Sequence, residues 1–314
     1  MTKSTDCNPL VSVIMPMFNA EKYVAASINS CIRQTYQNWE LLIVDDYSSD
    51  EAVKVVNQFV DSRIRLYRLD KNHGPGYARN IALDNAKGDW ITVLDADDAF
   101  GANRITRLLE ISQEIGANFV VNDKPISWNG NDEIWGDRLI AETDLQRRQI
   151  KKVSLETWIS QIGYSKPFFH RKLLLENVRY PEDIKGPEDT VFFVRLCALN
   201  DVQIAAVDLA NYHYRRNIES LSNRGLPQLT EINTAIQIMR ASPELKGEIS
   251  ASLDLMQKKN DANLLIIDIR KRLKRRELLS TLGVLYRNRL LFPELFALAR
   301  ESIVYNLFSS KGNM

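Results

Sequence analysis

The 314-residue chain has little cysteine, no long apolar run and almost no net charge. Cys7, Cys31 and Cys197 are too few and too scattered for a disulfide framework or a zinc site. No uncharged apolar stretch approaches the ~18–20 residues that a spanning helix needs. The opening MTKSTDCNPL has no apolar segment of the kind a secretory signal carries. The expectation is a cytoplasmic chain, soluble or peripheral on the inner face of the plasma membrane. There is no fixed-period repeat and no low-complexity tract. With 41 Lys+Arg against 40 Asp+Glu, the formal charge of +1 excludes a global polyanion binder. The charge is nonetheless unevenly spread: from Lys258 onward there are 12 basic and 5 acidic residues, a net +7 that leaves −6 for residues 1–257. An acidic body with a basic tail points to a cation-using site in the first and an anionic partner for the second.

The first hundred residues alternate between two periodicities. Val11–Met15 and Glu40–Val44 are β-branched apolar runs, ended by Pro16 and by Asp45-Asp46, and predict buried strands. Arg63–Tyr67 and Trp90–Leu94 predict two more. Between them, Glu21–Gln34, Glu51–Val60 and Pro75–Asn85 have helical spacing, the first with Asn19 as its expected cap. Strands interleaved with helices of this length imply right-handed βαβ units around a mostly parallel, doubly wound α/β sheet. Ligands of such sheets bind outside the carboxyl ends of the strands. Those ends here carry Pro16–Asn19, Asp45-Asp46 and Asp95–Asp98.

Asp95-Ala96-Asp97-Asp98 is a hard, oxygen-rich group, and carboxylates at i and i+2 of a sharp turn can converge on Mg²⁺ or Mn²⁺. Acids after a strand also cap helices, and one is expected from about Ala102. The second acidic strand end weighs against that simpler role, because two anionic clusters on one edge repel unless a cation or a donor-rich ligand lies between them.

VSVIMPMFN, ELLIVDDYSSD, GPGYARNIAL and WITVLDADD, in this order and spacing, resemble the nucleotide-binding half of family 2 glycosyltransferases, inverting enzymes of the GT-A fold. The resemblance continues more weakly through KPFFHRKLLLENVRYPEDIKGPEDTVFFVRL to YHYRRNIESLS, about two-thirds of the chain. It implies Phe18 stacked on the nucleotide base with Pro16 and Asn19 lining the same pocket. It further implies Asp46 accepting from the base, plausibly uracil N3–H, with Asp45 beside it. Arg79 matches a cation near the base or diphosphate. Asp95 is expected at the ribose or a metal-bound water, and Asp97 as a direct metal ligand. Tyr47 stands where the family's Asp-Asp-Gly-Ser motif has glycine.

The attacking hydroxyl needs a general base from outside the metal cluster. In GPEDTVFF, Gly186-Pro187 turns the chain and Asp189 opens a helix. An ordinary capping acid is the simpler alternative; the resemblance makes Asp189 the base and Glu188 its neighbour. His213, in an expected strand at Tyr212–Tyr214, is a candidate third metal ligand or a packed strand histidine. Arg215, with Ser220 and Ser222, resembles a loop that closes over the diphosphate. His73 and His170 read as structural. Trp128 and Trp135 could stack on acceptor sugars or simply pack.

Ile269–Arg276 holds six cations in eight residues, followed by Arg287, Arg289 and Arg300, along an apolar stripe of leucines. This reads as a membrane-surface helix or as a solvated face packed on the body. The expected organisation is a GT-A domain over 1–225 (nucleotide-sugar half about 10–122, acceptor half about 123–225) and a helical basic region over 226–314. The expected activity is metal-dependent transfer of a hexose, glucose as a guess, from a UDP-sugar to a glycan or polyprenyl-diphosphate-linked acceptor in bacterial exopolysaccharide synthesis. A sugar-phosphate nucleotidyltransferase would need a Gly/Arg-rich loop after the first strand, which MetProMetPheAsn is not. A non-catalytic scaffold would be favoured by a missing carboxylate, but Asp46, Asp97 and Asp189 are all present.

Overall fold

Val11–Met17 forms β1, and its alternate side chains feed two separate cores: Ile14 joins Leu42 and Val44 on one face, while Val13 and Met15 join Leu41 and Ile43 on the other. This two-sided burial is why the strand is an apolar run rather than an alternation. The computed structural model describes residues 8–122, 126–128, 150–159, 166–175, 178–184, 186–207, 211–215, 226–242, 245, 249–275, 277–291 and 293.

After β1 come α1 (Val24–Ile32), β2 (Trp39–Asp45), α2 (Ala52–Val56), β3 (Ile64–Arg68), α3 (Pro75–Asn85) and β4 (Trp90–Val93). These are the elements expected from the sequence, with ends shifted by a few residues. The chain continues through β5 (Ala99–Phe100), α4 (Arg104–Ile115), β6 (Phe119–Asn122), β7 (Ile126–Trp128), β8 (Ile150–Val153) and the short α5 (Leu155–Thr157). Then follow β9 (Phe168–His170), α6 (Glu188–Ala198), β10 (Ile204–Val207), β11 (Tyr212–Arg215), α7 (Leu226–Ala241), α8 (Ser250–Lys274) and α9 (Leu278–Arg287).

The main sheet has eight strands in the order β3-β2-β1-β4-β9-β6-β10-β8. Its first four are mutually parallel; β9 enters antiparallel between β4 and β6. A second sheet has the order β5-β11-β7, its strand β5 following the turn after β4. β1 pairs with β4 only as far as Ile14, but with β2 as far as Met17. Pro16 therefore lies beyond the last β4 partner, where a missing N–H is tolerated.

Two local expectations are corrected. Asn19 does not cap α1, which starts after Tyr23 with no side-chain cap. Instead Asn19 adopts φ 49° and cross-links the ends of β1 and β2: its N–H donates to Ser48 Oγ (2.9 Å) and its Oδ1 accepts from the Ser49 N–H (2.9 Å). The helix expected from about Ala102 begins at Arg104 after Asn103, and Asp98 does not cap it. Tyr47, which replaces the family's glycine, has φ 67°. This is the left-handed region, uncommon for a residue with a side chain, which here is exposed to solvent.

The helices after residue 226 do not stand apart. Ala235, Ile236 and Met239 of α7 and Leu253 of α8 belong to the same buried cluster as Ile14 and Phe119. Further along, Leu273, Tyr286 and Leu290 are exposed. Residues 129–132, together with Trp135, Ser220, Ser222 and Arg300, lie outside the described residues.

The close seating of α3 depends on Gly76. A Cβ there would lie 2.4 Å from the Pro181 carbonyl oxygen, a contact that no rotamer relieves because the partner is backbone. Gly76→Ala is expected to destabilise the protein by about 1–3 kcal/mol through overpacking. Thermal unfolding checks this: an unchanged midpoint would mean that the 180–181 segment yields freely.

Candidate active site

Three strand ends converge at the carboxyl edge of the sheet. Asp46 follows β2 and is buried, its Oδ1 accepting from the His73 N–H (2.7 Å) and its Oδ2 from the Gly74 N–H (2.8 Å). Gly74, at φ 95°, makes the turn that aims both amides and starts α3. Asp45 is fully buried beside it; its Oδ1 accepts from the Ser48 N–H (3.2 Å) and its Oδ2 faces Arg68 Nε at 3.4 Å. In contrast, Phe18, directly after β1, is half exposed, and so is Tyr47, two residues after β2.

The turn after β4 carries Asp95, Asp97 and Asp98 in three different settings. Asp98 is buried, with its Oδ2 accepting from Tyr212 OH (2.6 Å) and its Oδ1 from the Arg215 N–H (2.9 Å). It ties the turn to β11, and the same strand's Arg215 donates from Nε to the Asp97 carbonyl oxygen (3.0 Å). Arg215 also lies over the Tyr23 ring at 4.6 Å. The structure therefore brings Arg215 to the acidic turn, as the backbone clamp that shapes it.

Asp95 is gripped by two cations. Its Oδ1 accepts from Arg79 Nη2 (3.0 Å), and its Oδ2 pairs with Lys166 Nζ. Arg79 Nη1 continues to Glu188 Oε1 (2.5 Å), so one buried guanidinium joins the nucleotide-half carboxylate to the acidic pair that opens α6. Glu188 Oε2 accepts in turn from the Gly186 N–H (2.5 Å). Asp189 lies at the rim of an apolar cavity with Trp158, Ile232 and Met256, its Oδ1 accepting from the Thr190 N–H (2.6 Å). Of the expected site residues, Asp95, Arg79, Glu188 and Asp189 thus form one connected group.

The charges in this group are shifted in opposite directions. Burial alone would raise Asp95, but Lys166 and Arg79 hold it well below the usual carboxylate range. Burial also works against the charge on Arg79 and on Lys166, but the acidic groups around each, Asp95 foremost, together outweigh it, so each stays protonated. Asp189 is raised, first by burial and then by Glu188 beside it. Asp97 is pushed up to about 6, first by burial and then by the neighbouring Asp95 charge.

A carboxylate held that high beside a second carboxylate suits a divalent cation, which would neutralise both. His213 is placed differently. It sits in β11 opposite Ala99, and burial together with Arg104 lowers it to about 4. Among the described residues, no three of His, Cys, Asp and Glu converge as a metal-binding group, so His213 is not gathered with Asp95 and Asp97.

The Asp97 shift has a measurable consequence. Its folded value lies above the unfolded value near 4, so its contribution to stability is full at low pH and is lost as pH rises through about 6. Asp97→Asn removes that cost. The variant is expected to melt above the wild type at pH 8, with the gap narrowing toward pH 5. A lower melting point at pH 8 would mean that Asp97 is paired in the folded protein.

Lys166 and Arg104 escaped the reading of the sequence. Arg104 is fully buried between the rings of Phe100 and Tyr212 (5.0 and 5.1 Å), its Nη1 donating to Asn211 Oδ1 and its Nη2 to the Lys166 carbonyl oxygen. The available signal for Lys166 was a lone cation leading into the apolar segment Pro167-Phe168-Phe169, an unusual place for an ammonium group unless it has a partner.

Residues 12–175 match the family described as Glycosyl transferase family 2. The chain belongs to that family. It is 30% identical over 225 residues to the succinoglycan biosynthesis protein ExoO of Rhizobium meliloti, covering 68% of this chain and 63% of that protein. It is 42% identical over 122 residues to WfgD of Escherichia coli, a UDP-Glc:alpha-D-GlcNAc-diphosphoundecaprenol beta-1,3-glucosyltransferase, covering 39% of this chain and 48% of that protein. The chain spans between about half and about two thirds of the length of the curated relatives it matches. The structure of S. aureus TarS 1-349 in complex with UDP-GlcNAc superposes with a TM-score of 0.61 at 20% identity, covering 81% of this chain and 71% of that one. This likeness establishes the GT-A-type fold of the family 2 chain.

Proposed function

We propose that this family 2 chain is an inverting glycosyltransferase that moves a hexose from a UDP-sugar to a glycan or polyprenyl-diphosphate-linked acceptor in bacterial exopolysaccharide or surface-polysaccharide synthesis. The observation that carries the reading is the Arg79 bridge, which joins Asp95 at the nucleotide edge to Glu188-Asp189 at the cavity. The WfgD name supplies a glucosyl donor and a lipid-linked acceptor, and TarS was captured with a UDP-sugar.

In this reading, Phe18 with Pro16 and Asn19 receives the base, and Asp46 accepts from it. Asp97, with Asp95, would hold a Mn²⁺ or Mg²⁺ ion, which offsets charge on the departing diphosphate. Asp189 takes the proton from the acceptor hydroxyl as the new C1–O bond forms and the bond to the β-phosphate oxygen breaks, on opposite faces of the sugar. The raised pKa of Asp189 makes it a stronger base, and activity is lost on the acid side as it protonates. The apolar cavity at Asp189 offers the acceptor a partly dry site.

Among the described residues no helix is long and apolar enough to cross a membrane. The exposed Leu273, Tyr286 and Leu290, set among Lys271, Arg275 and Arg287, support peripheral attachment to an anionic surface. Incubation with UDP-glucose and a GlcNAc-diphosphate-lipid acceptor in Mn²⁺ tests the proposal. A β-linked glucosyl product from the α-linked donor is expected; an α-linked product would overturn inversion. No transfer from any UDP-hexose would overturn the donor assignment.

A further inference from the structure

Two cations touch Asp95, and they differ in what else they can reach. Arg79 is only 7% exposed at its side chain and is committed on both sides, with Nη2 on Asp95 and Nη1 on Glu188. Lys166 is 19% exposed at its side chain and is bound through Nζ to Asp95 Oδ2. An ammonium group has three donors, so this one contact leaves donor capacity on a side chain that is not fully enclosed.

Its position is fixed from behind. Arg104 Nη2 donates to the Lys166 carbonyl oxygen (3.0 Å), and β9 follows immediately, with Phe168 paired to Thr92 of β4. Lys166 is thereby carried to the carboxyl end of β4, the edge at which ligands of such sheets bind. An anionic ligand entering there meets Asp95 and Asp97 unless a positive group intervenes, and of the two cations on Asp95 Lys166 is the one with donors to spare.

We propose that Lys166 is a ligand of the donor's diphosphate: its ammonium group donates to a phosphate oxygen while Asp95 orients it, and it stabilises the nucleoside diphosphate as this leaves. The assignment rests on the nucleotide-sugar reading given above. No bond to Lys166 is made or broken. The C1–O bond to the β-phosphate breaks with its electron pair passing to the phosphate, and the fixed positive charge faces the oxygen that gains it. Such charge-assisted hydrogen bonds are the strong ones, and they act most where water is scarce.

The test compares a ligand that has the diphosphate with one that lacks it. UDP and uridine are titrated calorimetrically into the wild type, Lys166→Met and Lys166→Arg, with and without Mn²⁺. UDP affinity of Lys166→Met is expected to fall by at least about tenfold while uridine affinity holds, since a hydrogen bond to a charged group is worth this much or more. Lys166→Arg is expected to recover most of the loss, because it restores a cation with several donors. Equal weakening of UDP and uridine would show that the lysine only supports the fold, and unchanged UDP affinity would show that it does not meet the phosphates; either result overturns the assignment. If the wild type bound neither UDP nor any other nucleoside diphosphate, the donor reading itself would fall and take the assignment with it. That outcome is visible before any variant is compared.

Discussion

Asp189→Asn is expected to lower turnover by about 10²–10⁴-fold, the usual contribution of a general base, with little change in affinity for the donor nucleotide. The asymmetry follows from placement. Asp189 lies at the rim of the apolar cavity, on α6, while the nucleotide edge is built from the ends of β1, β2 and β4. Amide and carboxylate are nearly isosteric, so the hydrogen bond from the Thr190 N–H can persist in the variant and the fold should hold. The loss would then lie in proton removal. Steady-state kinetics with varied donor and varied acceptor separates the two effects. Retention of more than about a tenth of wild-type turnover would remove Asp189 from the role, because a base contributes well beyond that.

The second large effect is expected at Arg79, and there it is one of stability. Replacing it with methionine leaves Glu188 buried with its ion partner gone, and Asp95 with Lys166 alone. Breaking a buried ion pair from one side typically costs about 3–5 kcal/mol, because the remaining charge stays out of water. Arg79→Met should therefore melt well below the wild type, by on the order of 10 °C, at about 2–4 °C per kcal/mol for a domain of this class. Adding Glu188→Gln should recover part of the loss by removing the stranded charge, a coupling that a double-mutant cycle measures. The sequence resemblance implied a cation near the base or diphosphate. Were that its main task, Arg79→Met would keep its melting point and lose nucleotide affinity.

The parts of the molecule legible in sequence are those whose causes are local. β1, β2 and β4 are apolar because both sheet faces are covered, and α3 begins at Pro75, a residue suited to a first helical turn. The carboxylates could be named because they follow strands. What could not be read was how groups far apart in the chain are paired. Arg79 meets Glu188 across 109 positions, and Lys166 meets Asp95 across 71. Neither pairing leaves a periodic trace. Asn19 shows the opposite failure, since its type and place suit a helix cap, yet the tertiary contact with Ser48 and Ser49 prevails. The union of α7 and α8 with the main core was hidden for a similar reason. The basic composition near the end of the chain masked buried Ala235, Ile236, Met239 and Leu253.

The carboxyl edge of this sheet is expected to bind a nucleoside diphosphate together with a divalent cation. Thermal unfolding of the wild type with UDP, GDP, CDP and ADP, each with and without Mn²⁺, tests it most directly. A ligand at a hundredfold excess over its Kd stabilises the native state by about 2.7 kcal/mol, enough for a clear shift in midpoint. The account predicts a Mn²⁺-dependent shift with UDP and none of comparable size with the other three. The absence of a shift with every nucleotide would contradict it, however well Asp46, Asp95 and Asp97 are arranged.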